Sequence, residues 1–226
     1  MRIKSFFTTD LFRILCICSI CLSTVSYCPN IAYAQLTSKQ NKQLEKERNN
    51  MYKKKKKELE KEGWKIVGSS KTLEVALLEH YAQIGDGKYE LEGAVSTCRS
   101  INVCRQFAIS NAQNEYALMA SSDVSGKAEN IIQGNAVTGE EIDAFVAAYE
   151  KNIKATIGSA LKPSYAIVRG DKNAKEYKLF FIVDEEKARL ARENAMKATL
   201  SQVKIASEIG NQISTFIQDG SFIEQQ

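Results

Sequence analysis

Apolar side chains recur along this chain with two different periods, and the changes of period divide it into elements. From Leu73, positions Ala76, Leu77, Tyr81 and Ile84 follow at helical spacing, and Gly85 supplies a stop. Lys88–Cys98 switches to a period of two. Tyr89, Leu91, Gly93, Val95 and Thr97 share one face, and Glu90, Glu92 and Ser96 the other. A helix then runs from about Asn102 to Ser121, one side marked by Cys104, Ala108, Ala112, Glu115 and Met119. Its alanines let it lie close against a sheet. Residues 123–139, interrupted by Gly126, Gly134 and Gly139, read as a loop with a short strand or helical turn around Ile131 and Ile132. Thr138 and Glu141 then form a capping box before a stripe of Ile142, Phe145, Val146, Tyr149, Ile153 and Ile157, ended by Gly158.

The strongest strand signal follows. Ser164–Arg169 and Glu176–Val183 flank "GDKNAK" and predict an antiparallel hairpin. Leu179 to Ile182 are continuously apolar, as in a central strand covered on both faces. Asp184 caps a last helix, with Glu185 and Glu186 in its first turn and one face traced from Ala188 to Phe216 over about seven turns. The tail, "DGSFIEQQ", is expected to fray. Upstream, "GWKIVGSS" suits a short strand, with Trp64 anchoring the core edge. This order predicts an α+β domain over residues 63–226. It has an antiparallel or mixed sheet of about four strands, helices packed mainly on one face and a charged helix in front.

That leading segment, within residues 35–62, has high helix propensity and no continuous apolar stripe, so it reads as an exposed helix. Before it stands a leader. Arg2, Lys4 and Arg13 form a basic start, Leu11–Val25 is mostly apolar, and Ala32-Tyr33-Ala34 is an A-x-A site. The expectation is a signal peptide over 1–34, cleaved after Ala34, and a mature chain in the periplasm or secreted. A lipoprotein leader fits less well, because none of Cys16, Cys18, Cys21 and Cys28 follows a small residue. No later segment is long and apolar enough to predict a membrane span.

The leader contains three of the 31 basic and one of the 27 acidic residues, so the mature chain is nearly neutral, unlike a nucleic-acid binder. It also leaves only Cys98 and Cys104. An oxidising compartment favours a disulfide between them, worth about 2 kcal/mol for so short a loop. Free thiols rank next and redox chemistry last, since the spacing is not C-x-x-C. A zinc site lacks ligands, as His80 is the only histidine.

His80 reads as an ordinary helix histidine; a serine–histidine–acid triad would have to use it, and no G-x-S-x-G accompanies it. "GDGKYE" at residues 85–90 lacks the phosphate-loop pattern, and Glu140-Glu141 and Glu185-Glu186 open helices, where the helix dipole favours acids. No catalytic residue and no cofactor is expected. The run Lys53, Lys54, Lys55, Lys56, Lys57 reads first as a solvated helix face and second as a contact for an anionic envelope surface.

The stretch "CRQFAISNAQNEYALMASSDVSG", the capped helix, "PSYAIVRGDKNAKEYKLFFIV" and the long final helix resemble uncharacterised exported proteins of Gram-negative bacteria. More remotely they are similar to the twenty-kilodalton envelope lipoprotein (LPP) family. Ala108, Ala112 and Tyr116-Ala117 match its alanine-rich helix, and Ser164–Val183 its hairpin. The resemblance implies envelope association and carries over no site residue. The expectation is therefore an exported, non-enzymatic cell-envelope protein that binds a protein or envelope component. Its contact surfaces would be the leading helix and the two-faced hairpin strand. A small-ligand carrier, with a pocket between sheet and alanine-lined helices, and a carboxylate-dependent hydrolase are the alternatives.

Overall fold

The computed structural model describes residues 38–132, 138–171, 174–203 and 207–218. The leader and cleavage site expected within residues 1–34, residues 172–173 of the hairpin loop and the tail lie outside them. In chain order the elements are α1 (Ser38–Lys61), β1 (Lys65–Val67), α2 (Leu73–Tyr81), β2 (Lys88–Cys98) and α3 (Ile101–Ile132). Next come α4 (Gly139–Thr156), a 3-10 turn at Ile157–Ser159, β3 (Leu161–Gly170), β4 (Lys175–Asp184), α5 (Glu185–Gln202) and α6 (Ser207–Gln218).

The four strands form one antiparallel sheet in the order β1-β3-β4-β2. The fold is α+β, and β4 is central, as its unbroken apolar run requires. Its side chains alternate between two cores. Tyr177, Leu179, Phe181 and Val183 face a large core filled by α3, α4, α5 and α6. Phe180 faces a smaller core with Leu59, Trp64, Ala76, Leu77, Tyr81, Tyr165 and Ile167. Most helical mass therefore lies on one face, and the other is covered by α2 and the second half of α1. The compact unit runs Glu45–Gln226, so most of α1 belongs with the sheet.

Local chemistry explains the element ends. Thr138 and Glu141 exchange both bonds of a capping box, and the Asp184 side chain accepts from the Lys187 N–H. Between α2 and β2, the chain reverses through Asp86 and Gly87, both at positive φ, and Lys88 N–H donates to Gly85 O at 3.1 Å.

Three stretches differ from the sequence pattern. Residues 123–132 continue α3 as helix rather than forming a loop, because Gly126 weakens but does not stop a helix whose Val124 and Ala128 bury completely. The buried stripe of α3 passes through Cys104, Ala108, Ala112, Tyr116 and Ala120, while Glu115 stays exposed. The last helix is broken: Val203 adopts extended backbone (φ −118°, ψ 130°), so that α5 and α6 are separate elements that both reach the large core.

At Gly93, β2 and α3 approach each other backbone to backbone. A Cβ on Gly93 would lie 2.0 Å from the Ala108 carbonyl oxygen and 3.2 Å from the Ala112 Cβ. Only glycine opposite alanine lets helix backbone rest on strand backbone here. Just beyond, Cys98 and Cys104 stand at disulfide distance, with Cα atoms 5.6 Å apart. Gly93→Ala should destabilise the protein by about 3 kcal/mol in urea unfolding, since backbone on both sides must move. Gly126→Ala, with nothing within 4 Å of the new methyl, should instead stabilise by about 0.5–1 kcal/mol.

Candidate functional site

The lysine run occupies the part of α1 that contacts the sheet, and the helical period splits it. Lys55 and Lys56 turn inward: Lys55 Nζ lies 5.6 Å above the Phe180 ring, and Lys56 Nζ meets Glu74 of α2 at 2.7 Å. Arg48, on the same inward side, donates to Ile84 O at 2.8 Å, and Leu59 is buried. These contacts fix the rotation of the helix. Lys53, Lys54 and Lys57 then point to solvent, and none has an ion-pair partner among the described residues. Lys46 and Lys61, also exposed, extend the same stripe at helical spacing. The helix is thus not wholly solvated, and its cations are presented as one ordered ridge.

The other end of the small core holds a polar cluster that local pattern does not reveal. His80 is completely buried. Its Nε2 lies 2.6 Å from Glu90 Oε2 of β2, and its Nδ1 3.0 Å from Ser164 Oγ of β3. An ionised carboxylate only accepts, so Nε2–H donates to Glu90, and Nδ1 shares the second bond with the Ser164 hydroxyl. Ser164 is the extra residue of a bulge in the β3–β4 register between Pro163 and Tyr165, which aims its hydroxyl at the ring. Tyr81, Tyr165 and Phe180 pack edge-on around the imidazole. Burial pushes the Tyr81 phenol up to about 12, with Glu90 and Glu58 adding to the shift. Burial likewise raises Tyr165 far above its ordinary range, reinforced by Glu90.

The sequence pattern offered His80 alone, yet the fold supplies a serine and an acid to it. The connectivity is that of a nucleophile, base and orienting group. Within it the imidazole is completely buried, whereas Ser164 and Glu90 keep partial exposure. The ring is sealed by aromatics, and neither of two nearby surface hollows is lined by Ser164 or His80. The cluster instead ties α2, β2 and β3 together. The clue to its role was the position of His80 within the buried stripe Ala76, Leu77, His80 and Tyr81.

A second buried polar group lies in the large core. Arg192 of α5 donates to Glu185, two turns earlier, and to Tyr116 of α3. Burial opposes its charge, but the bonds to Glu185 and Tyr116 outweigh that cost and hold it cationic. The Glu185-Glu186 pair therefore does more than face a helix dipole. Glu140-Glu141 serves its cap, so the paired acids do not converge on a cleft. Among the described residues no three His, Cys, Asp or Glu side chains are grouped to hold a metal, and no helix is long and apolar enough to cross a membrane.

The hairpin strand is not a contact surface: β4 is buried at the centre of the sheet. At Gly93 the alanine face of α3 rests directly on β2, and the open space between these two elements lies beside that contact, along Leu91, Asn111, Asn114 and Met119. No family model matches the chain, and no curated protein or solved structure matches it.

If the His80 cluster is a structural tie, His80→Ala should cost about 3 kcal/mol and Ser164→Ala about 1 kcal/mol in chemical denaturation. A fluorophosphonate probe should leave Ser164 unmodified; stoichiometric labelling in the folded protein would contradict a purely structural role.

Proposed function

We propose that this chain is an exported, non-enzymatic cell-envelope protein that binds an anionic envelope component through the lysine ridge of α1. The reading joins the basic leader and A-x-A site, with cleavage after Ala34, to the ridge geometry. The likeness to the envelope lipoprotein family points the same way.

The observation that carries the proposal is the division of the lysine run. A helix needing cations only for solubility has no use for a fixed rotation. Here Lys55, Lys56 and Arg48 are spent on holding the helix, and Lys53, Lys54 and Lys57 are left facing outward together. A preset array binds a charged surface without first ordering flexible side-chain carriers. Each outward lysine near an anionic membrane surface contributes about 1 kcal/mol, so three give useful but reversible attachment. A hydrolase reading would rest on Ser164, His80 and Glu90, whose sealed ring argues against it.

The test is sedimentation of the mature chain with vesicles containing anionic phospholipid. Binding should fall steeply as salt rises from about 50 to 500 mM, as screening shortens electrostatic reach. Replacing Lys53, Lys54 and Lys57 together with glutamate should weaken it at least tenfold, with unfolding stability unchanged. Wild-type binding that survives both high salt and these substitutions contradicts the proposal.

A further inference from the structure

The sheet ends at β2, an edge strand of eleven residues, while the opposite edge, β1, has only three. Asn111 of α3 donates to Ala94 O of β2 at 2.7 Å. That carbonyl therefore points away from β4. In a strand the N–H and C=O of one residue point the same way, and the direction alternates along the chain. The N–H and C=O of Glu90 and Glu92 thus also face the outer edge, while those of Tyr89 and Leu91 face β4.

Beside this edge lies an open groove of about 630 Å³ between β2 and α3. Leu91 and Met119 give it apolar surface, and Asn111, Asn114 and Glu115 form its helical rim. Along the solvent side of α3, Val103 and Phe107 lie one turn apart, and Leu118 one turn beyond Asn114. These three apolar side chains are 48%, 55% and 50% exposed. The charged residues along the groove are all acidic: Glu115 on its helical rim, and Glu90 and Glu92 on the strand, whose side chains project to the opposite face of the sheet to meet His80 and Lys178. Glu90 and Glu92 keep 29% and 31% side-chain exposure despite their bonds to His80 and Lys178.

We infer that the outer edge of β2 docks an extended segment of a partner protein, adding a fifth strand in which basic residues alternate with apolar ones. The alternation follows from the pleat. Odd-numbered residues of β2 face α3, where Gly93 meets Ala108, and even-numbered ones face the opposite side. A strand added to the edge keeps the same two faces. Its side chains on the α3 face meet Met119 and the exposed apolar residues of that helix. Those on the other face meet Glu90 and Glu92, which select lysine or arginine. Backbone hydrogen bonds give the affinity and this alternation the specificity. A second copy of the chain is a poor occupant, because pairing β2 antiparallel with itself along its full length sets Glu90 opposite Ser96 and Glu92 opposite Ala94, so neither glutamate gains a cation. The inference uses no residue of α1, so it stands or falls separately from the lysine ridge.

The test is fluorescence anisotropy of a labelled, roughly eight-residue Val–Lys repeat with the mature chain, against a Val–Glu repeat and a Val–Lys repeat interrupted by proline. Only the uninterrupted Val–Lys peptide should bind, and Glu115→Lys should weaken it roughly fivefold. Glu92→Pro removes one outward N–H while sparing the pairing with β4, and should abolish binding in a protein that still unfolds cooperatively. Amide exchange by NMR gives a readout independent of any variant: the Glu90 and Glu92 amides should gain protection with peptide, while those of Tyr89 and Leu91 are protected already. Equal binding of the Val–Glu peptide, peptide-induced protection confined to other elements, no binding at all, or a dimer sealed through β2 in sedimentation would each overturn the inference.

Discussion

The architecture depends on the contact between two backbones at Gly93 and Ala108. Side chains normally lie between a helix and the sheet it covers and hold their backbones apart. Here glycine on the strand and alanines on the helix remove that spacer, and α3 settles onto β2. Everything on the large-core side is built outward from that seat. Tyr116 reaches Arg192 of α5 from the buried face of α3, and α4 packs Phe145, Tyr149 and Ile153 into the same core. The Cys98–Cys104 pair sits where strand passes into helix, so it keeps the two elements from parting at their shared corner. The same seat holds Asn111 beside the strand edge and gives the groove its helical wall.

The other face of the sheet solves a different problem. Its core is small and aromatic, and its covering helices carry few large apolar residues. The chain closes it with charged side chains whose stems and heads have particular uses. Arg169 lies 4.6 Å over the Trp64 ring while pairing with Glu176, and Lys55 caps Phe180. Such cation–ring contacts contribute about 0.5–1 kcal/mol each at exposed sites. A helix that looks wholly polar can therefore belong to a core. Three of its cations, Arg48, Lys55 and Lys56, secure it, and Lys53, Lys54 and Lys57 face outward to define a surface.

Much of this was legible from residue pattern. The capping box at Thr138, the Asp184 cap, the hairpin, the central place of β4 and the close-packing alanines each follow from local chemistry. What escaped was set by distant partners. Gly126 looked like a breaker, but burial of Val124 and Ala128 carries the helix through it. The break at Val203 has no glycine or proline to announce it. The inward turn of Lys55 and Lys56 depends on Phe180 and Glu74, and His80 meets Ser164 across 84 positions. The edge status of β2 depends on strand order, which the pattern of one strand does not encode.

Native-state hydrogen exchange measured against increasing denaturant addresses the central claim most directly. If α3 is seated on β2 as described, amides near Ala108–Tyr116 and those of β4 open together, with one free energy equal to that of global unfolding. Exchange of the α3 amides through a separate, lower-energy opening while β4 stays protected would show that the seat does not hold the fold together.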